Sequence, residues 1–289
     1  MLKIMVIAAM LVLEGIYLNA LLRDCLGHKE EMRKEKGNPI VLAVYSLVLY
    51  FGATFGLPDF AIGSVIISKL KWLEEKKIPG TLICECTLPM LPMAWGYLIL
   101  VDMDMKTFLF PIAAQLIGSV IGPKIAVRMS AEKVKTFISI GLFVGATMIL
   151  LSKLGIVPES GNIEVVRGWR LVYITVLGFA GGILNQIGVG SFSVTLAGFY
   201  AVGISSIVAY PIMMCACALG DPLGAIQFVK EGMYGRKLSL ICSLYGCIGA
   251  LFALRVVKGM QLGTLMWIVM IIVYYSAISM MKSVIIEKE

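Results

Sequence analysis

Three acidic residues, Glu14, Asp59 and Glu85, sit inside long apolar runs. On the insertion scale an Asp at the centre of a bilayer costs about 2.5–3.5 kcal/mol, so acids in such places are functional candidates by default. Asp59 closes the stretch Gly52-Ala-Thr-Phe-Gly56-Leu-Pro-Asp59. Glu85 lies in Thr81-Leu-Ile-Cys-Glu85-Cys-Thr-Leu-Pro89, a helix expected to be interrupted by Pro89 and Pro92. Either acid is placed to carry a coupling proton, whereas Glu14 reads as structural. A second constellation is neutral: Asn185, Gln186, Gly188, Gly190, Ser191 and Ser193 fall within nine residues. If a helix breaks at these glycines, the next half-helix offers bare N–H groups and the positive end of its dipole, which suit a small anion. No Lys or Arg falls near the middle of an apolar run. Neutral donors and dipoles hold an anion loosely enough to release it.

The expected substrate-binding set is therefore Gly56, Asp59 and Ser64 from a first break, with Asn185, Gln186, Gly188, Gly190, Ser191 and Ser193 from a second. Asp59 and Glu85 are the expected proton carriers. No catalytic residue, metal set or cofactor is expected. Asp221, in Gly220-Asp-Pro222, reads as a turn or cap. The pairs Cys84/Cys86 and Cys215/Cys217 do not read as metal ligands, because helical residues two apart point about 200° away from each other. The seven cysteines are odd in number and mostly inside apolar blocks, which argues against a disulfide framework.

Positioning these residues is work for a membrane protein. Of 289 residues 59% are hydrophobic and 15% charged, against about 45–50% and 25% in soluble domains. The apolar blocks, among them 3–22, 79–101, 107–127, 134–152, 237–254 and 260–281, match the roughly 20 residues that cross a bilayer. The net charge of +7 comes from short basic loops beside these blocks, so it reads as topology signal and lipid attraction and not as a nucleic-acid surface.

Two blocks, 39–57 and 169–186, are each followed by a break and a short apolar stretch. Sliding the sequence by 126 residues lays Gly52-x3-Gly56-x2-Asp59 over Gly178-x3-Gly182-x2-Asn185. The expected organisation is an all-α polytopic protein of two inverted repeats, each with a broken or re-entrant helix hairpin, plus one extra N-terminal helix. Residues 1–38 form that helix and a cytoplasmic loop, 39–153 the first repeat, 154–167 an extracytoplasmic linker and 168–284 the second repeat. Interrupted segments at matching places in two halves point to a transporter's binding site. If both breaks are hairpins, loops 23–38, 69–78, 124–135 and 230–237 and the C-terminus share one face and hold 18 of the 25 Lys and Arg. The positive-inside rule then puts the N-terminus outside and the C-terminus in the cytoplasm, in the cell's inner (plasma) membrane.

The segment Gly178-Phe-Ala-Gly-Gly-Ile-Leu-Asn-Gln-Ile-Gly-Val-Gly-Ser-Phe-Ser193 resembles the glycine-rich signature of the TauE/SafE-type sulfite exporter family. Phe51 to Leu70 looks like a degraded first copy, and Phe110 to Ser130 is similar to the family's spanning helix and basic loop. The resemblance implies a secondary carrier, an exporter by alternating access, of small anions such as sulfite or sulfonates. Val189 and Ser191 stand where the family has glycines, and Leu57-Pro-Asp59 replaces the first glycine run. The expected partners are a small anionic substrate and membrane lipids; a homodimer stays open. Two rival classes are a non-transporting membrane scaffold and an intramembrane aspartyl protease using Asp59 and Asp221. The lone histidine, His28, lies in a charged loop, which argues against a serine protease, and H-E-x-x-H is absent.

Overall fold

The structure, a computed structural model, describes residues 2–100, 103–156, 161–256 and 278. The apolar block 260–281, the end of the second repeat and the C-terminus thus lie, but for Ile278, outside the described residues. Among the described residues there are eleven α-helices: α1 Leu2–Gly27, α2 Lys29–Lys34, α3 Pro39–Ala53, α4 Asp59–Lys69, α5 Ile78–Leu100, α6 Met105–Ala126, α7 Ala131–Lys153, α8 Trp169–Gln186, α9 Phe192–Ala201, α10 Ser206–Lys230 and α11 Arg236–Val256. Five spans within them, Lys3–Gly27, Glu75–Ile99, Met105–Ala126, Ser206–Lys230 and Arg236–Val256, are long and apolar enough to cross a membrane. The protein is an all-α, multi-span helical membrane protein.

Sequence accounts for where these helices start. Asn38 caps α3 by accepting from the Ile40 N–H, and Pro39 at the first position needs no hydrogen-bond partner. Asp104 caps α6 through the Thr107 N–H, and Ser205 caps α10 through the Ile207 N–H. The expected interruption of the Glu85 helix does not occur: α5 runs on through Pro89 and Pro92. Asp221 likewise is no turn or cap but lies inside α10.

Both expected breaks are present, and both are built alike. At the end of α3 the Gly56 N–H bonds Ala53 O and the Leu57 N–H bonds Gly52 O. At the end of α8 the Gly188 N–H bonds Asn185 O and the Val189 N–H bonds Leu184 O. Each is a Schellman stop, whose penultimate residue must be left-handed; Gly56 has φ +89° and Gly188 φ +86°. The half-helices that follow end the same way, at Lys71 (φ 49°) and Gly203 (φ +80°). Matching stops are therefore 132 residues apart, which corrects the expected offset of 126. Gly178 and Gly182 do not correspond to Gly52 and Gly56. They lie inside α8, where a Cβ would run into the α6 carbonyls of Pro111 and Gln115.

Contacts at the two ends of the bundle show where each broken segment goes. At one end the Glu35 carboxylate before α3 accepts from the N–H groups of Arg236 (3.0 Å) and Lys237 (2.7 Å), and Thr81 Oγ1 in the first turn of α5 accepts from the Gly235 N–H (2.9 Å). So α3 begins, and α4 leads into α5, at the same end. At the other end Val166 N–H donates to Thr107 Oγ1 (2.9 Å), Arg167 pairs with Asp104 (2.6 Å) and Ser205 N–H donates to Ile163 O (2.9 Å). Here α8 begins and α9 leads into α10. The halves interlock: α6 packs on α8, α11 on α3 and α5, and α10 on α5 and α6, with α1 against α10.

Candidate functional site

Where the two breaks meet, a cavity of about 50 Å³ opens inside the bundle. One water needs only about 10–15 Å³ of such space, so a few water-sized groups or a small polyatomic ion fit. Its lining draws on both breaks: Gly56 and Asp59 from the first, Asn185, Gly190 and Ser191 from the second. Phe60, Phe192, Met90 and Met213 supply apolar wall, and Asp221 and Cys217 of α10 complete it.

The second break presents donors. Gly190 (φ +72°) lets the chain pass in a left-handed turn, and a Cβ there would sit 2.9 Å from Phe60 Cβ. Ser191 is the N-cap of α9, and its side chain makes no cap bond. The first-turn N–H groups of a helix have no partner within it. Ser191 N–H points to Asn185 Oδ1 (3.3 Å), and Asn185 Nδ2 donates to Asp221 Oδ1 (2.9 Å). Gln186 Nε2 reaches the same oxygen at 3.4 Å, and the Cys86 thiol donates to Asp221 Oδ2 at 3.6 Å.

The first break presents an acid. Asp59 is the first residue of α4, directly after the N-cap Pro58. It places an acid in the first turn, at the positive end of the helix dipole. Asp59 is 8% exposed, and its Oδ2 has no partner.

Five of the nine expected binding residues thus reach one cavity. Three others do not line it. Ser64 is buried with its hydroxyl on Ala61 O (3.0 Å); Gln186 is wedged against Gly122 and Gly224; Gly188 packs on Pro79. The side chain of Ser193 lies outside the described residues. Glu85 is fully buried behind α4, where Tyr45 OH donates to its Oε1 (3.3 Å) and its Oε2 is unpartnered; it does not line the cavity. Glu14 is buried in α1 with both oxygens unpartnered. All seven cysteines are free.

Asp221, Cys86 and Cys217 are the site residues that sequence reasoning missed or read as plain packing. The signal for Asp221 was an acid next to a proline in an apolar run, which a turn explains equally well. No protein-family model, curated protein or solved structure matches the chain.

Proposed function

We propose that the protein is a secondary transporter of small anions, an exporter working by alternating access, with its site at the junction of the two breaks. One observation carries this reading: residues from two like-built helix breaks line a single buried cavity that also faces a helix N-terminus. In hydrocarbon, broken backbone is tolerated only where it is buried or lines a wet cavity. The proposed architecture is a pair of inverted repeats, α3–α6 and α8–α11, each opening with a re-entrant hairpin and entered from opposite faces. Support comes from the shared ends described above and from the interlocked packing. The end that carries loops 23–38, 69–78 and 230–237 is proposed to be cytoplasmic on the positive-inside rule.

Sulfite, sulfonates and related organosulfur or carboxylate anions are the proposed cargo, on the strength of the resemblance in the glycine-rich segment. Asp59 and Asp221 bear on how such an anion is held, since two ionised carboxylates would repel it. A proton that neutralises one of these carboxyls is proposed to accompany the anion. An interior-negative membrane favours outward movement of a negative charge by about 2.3 kcal/mol per 100 mV.

The aspartyl-protease reading gains one observation, that Asp59 and Asp221 share a cavity. A cavity of about 50 Å³ does not admit an extended polypeptide, so it stays the second reading. Flux of labelled sulfite, thiosulfate, taurine, sulfoacetate and lactate into proteoliposomes tests both. Saturable flux of at least one anion supports the carrier. Cleavage of a reporter helix without flux supports the protease, and neither activity supports a scaffold.

A further inference from the structure

Asn185 stands between a carboxylate and a backbone amide. Asp221 Oδ1 can only accept and the Ser191 N–H can only donate, so the Asn185 amide has one orientation that satisfies both: Nδ2 to Asp221 (2.9 Å) and Oδ1 to Ser191 (3.3 Å). In this arrangement the Asn185 oxygen occupies the N–H that an anion at the start of α9 would take. The orientation depends on Asp221, which is 1% exposed and gathers three donors, from Asn185, Gln186 and Cys86. Asp59 Oδ2, buried, unpartnered and in the same cavity, marks that space as one awaiting a further group.

We propose that Asp221 couples a proton to the anion, acting through Asn185 on the amino end of α9: with Asp221 ionised the Ser191 N–H is held by Asn185, and with Asp221 protonated it is released to the anion. This rests on the transport reading and adds a coupling group and a stoichiometry to it. The chemistry is direct. Hydrogen bonds to an ionised carboxylate are roughly twice as strong as those to a neutral group, so a proton on Asp221 loosens its grip on Asn185. The freed amide swings its donor towards the cavity and adds to the anion's ligands. Binding of proton and anion then favour each other by the same factor, as linkage requires. The ionisable groups that face Asp221 are Cys86 on α5, Glu14 on α1, Asp59 at the start of α4 and Cys217 on α10 itself. From α8 the Asn185 and Gln186 amides reach it, while on the neighbouring α6 Gln115 bonds Cys217 and Ser119 lies against Gly220; none of these titrates. One proton travelling with a divalent anion leaves one net charge to follow the membrane potential; with a monovalent anion the pair is electroneutral.

The test uses purified full-length protein in vesicles containing a trapped pH dye. An inward gradient of sulfite, or of whichever anion of the flux screen is carried, is expected to acidify the lumen of wild-type vesicles. The half-saturating concentration is expected to rise about tenfold per pH unit on the alkaline side. Asp221→Asn is expected to make it pH-independent and to stop the acidification, so that any anion flux left in the variant moves without a proton. Retained acidification in that variant would overturn the proposal. A second measurement does not need the variant to fold: calorimetric titration of wild-type protein with the anion, in buffers of differing ionisation enthalpy, is expected to show one proton taken up per anion. Zero uptake would overturn the coupling. Absence of flux for every anion tested would instead remove the transport reading itself.

Discussion

The two breaks share a backbone and differ in charge. Each ends its long helix at a left-handed glycine, Gly56 or Gly188, and each restarts as a half-helix of about ten residues. Three residues past that glycine the first break carries Asp59 and the second Ser191. Asp59, the first residue of α4, sets an acidic side chain at that helix's positive end. Ser191 leaves the end of α9 open to the cavity except for one borrowed amide oxygen. One break already holds an acid and the other is open, so on the transport reading proposed above the anion is expected at the second break, with the first shaping its surroundings. Two breaks of the same backbone geometry need not have the same role; the residue at the start of the half-helix sets the difference.

The sharpest way to break this comparison is to stiffen each break in turn. Gly190→Ala places a Cβ 2.9 Å from Phe60 Cβ at a φ of +72°, and a non-glycine residue there costs about 1–2 kcal/mol before any clash. Flux is expected to fall by at least about tenfold. Gly56→Ala meets backbone strain of the same kind, at a φ of +89°, and is expected to cost less because the anion is proposed to sit at the second break. Equal losses in initial-rate measurements would mean that the breaks are equivalent. Gly190→Leu would be a packing defect as well as a block of the site, because Phe60 fills that space.

Next in size is Asn185→Ala. It removes both the link to Asp221 and a donor to the anion, so the half-saturating concentration is expected to rise about tenfold and its pH dependence to vanish. Ser64→Ala is the matched control at the first break. The Ser64 hydroxyl is spent on Ala61 O and does not line the cavity, so flux at subsaturating anion is expected to match wild type. A large loss there would return Ser64 to the site.

Asp59→Asn sharpens the electrostatic half of the comparison. Asn has nearly the same shape as Asp, so the fold should persist while a charge that would repel the proposed anion is lost. The half-saturating concentration is expected to fall a few-fold, with anion-driven acidification intact. Lost acidification would move the coupling proton from α10 to the first break, where the sequence alone had placed it.

The reach of the sequence reading follows from which interactions are local. Apolar block length, the glycines at the breaks and the caps at Asn38 and Asp104 act within a few residues, so helices and interruptions were legible. Pro89, Pro92 and Pro222 misled, because neighbouring helices hold α5 and α10 continuous through residues that end an isolated helix. The repeat offset went astray for a related reason. Gly178 and Gly182 are small because α6 lies on them, and a packing motif imitated a turn motif. Asp221 escaped because its partners lie about 35 and 135 residues away in sequence.

The smallest expected effect concerns how the mouth of each hairpin is pinned. At the first hairpin's end of the bundle Arg236 of α11 donates to Asp24 of α1 (2.7 Å) and Glu31 of α2 (2.8 Å), with only 8% of its side chain exposed, and so pins the helices around that mouth. The second is tied by Arg167 and Asp104, an exposed pair at 2.6 Å. The Arg167 guanidinium, with the Thr107 N–H, holds the Asp104 carboxyl well below the usual carboxylate range. A carboxyl depressed in the folded state adds stability that is complete above its unfolded value, about pH 3.9, and is lost as pH falls from there through the folded value. Asp104→Asn should therefore lower Tm slightly at pH 7 and not at all at the acid end of that range. Water screens this pair, so the drop should be smaller than for Arg236→Gln, which leaves Asp24 half-buried without its partner. Thermal unfolding in detergent at pH 7 checks the order, and a larger loss from Asp104→Asn would reverse which mouth is the more firmly closed.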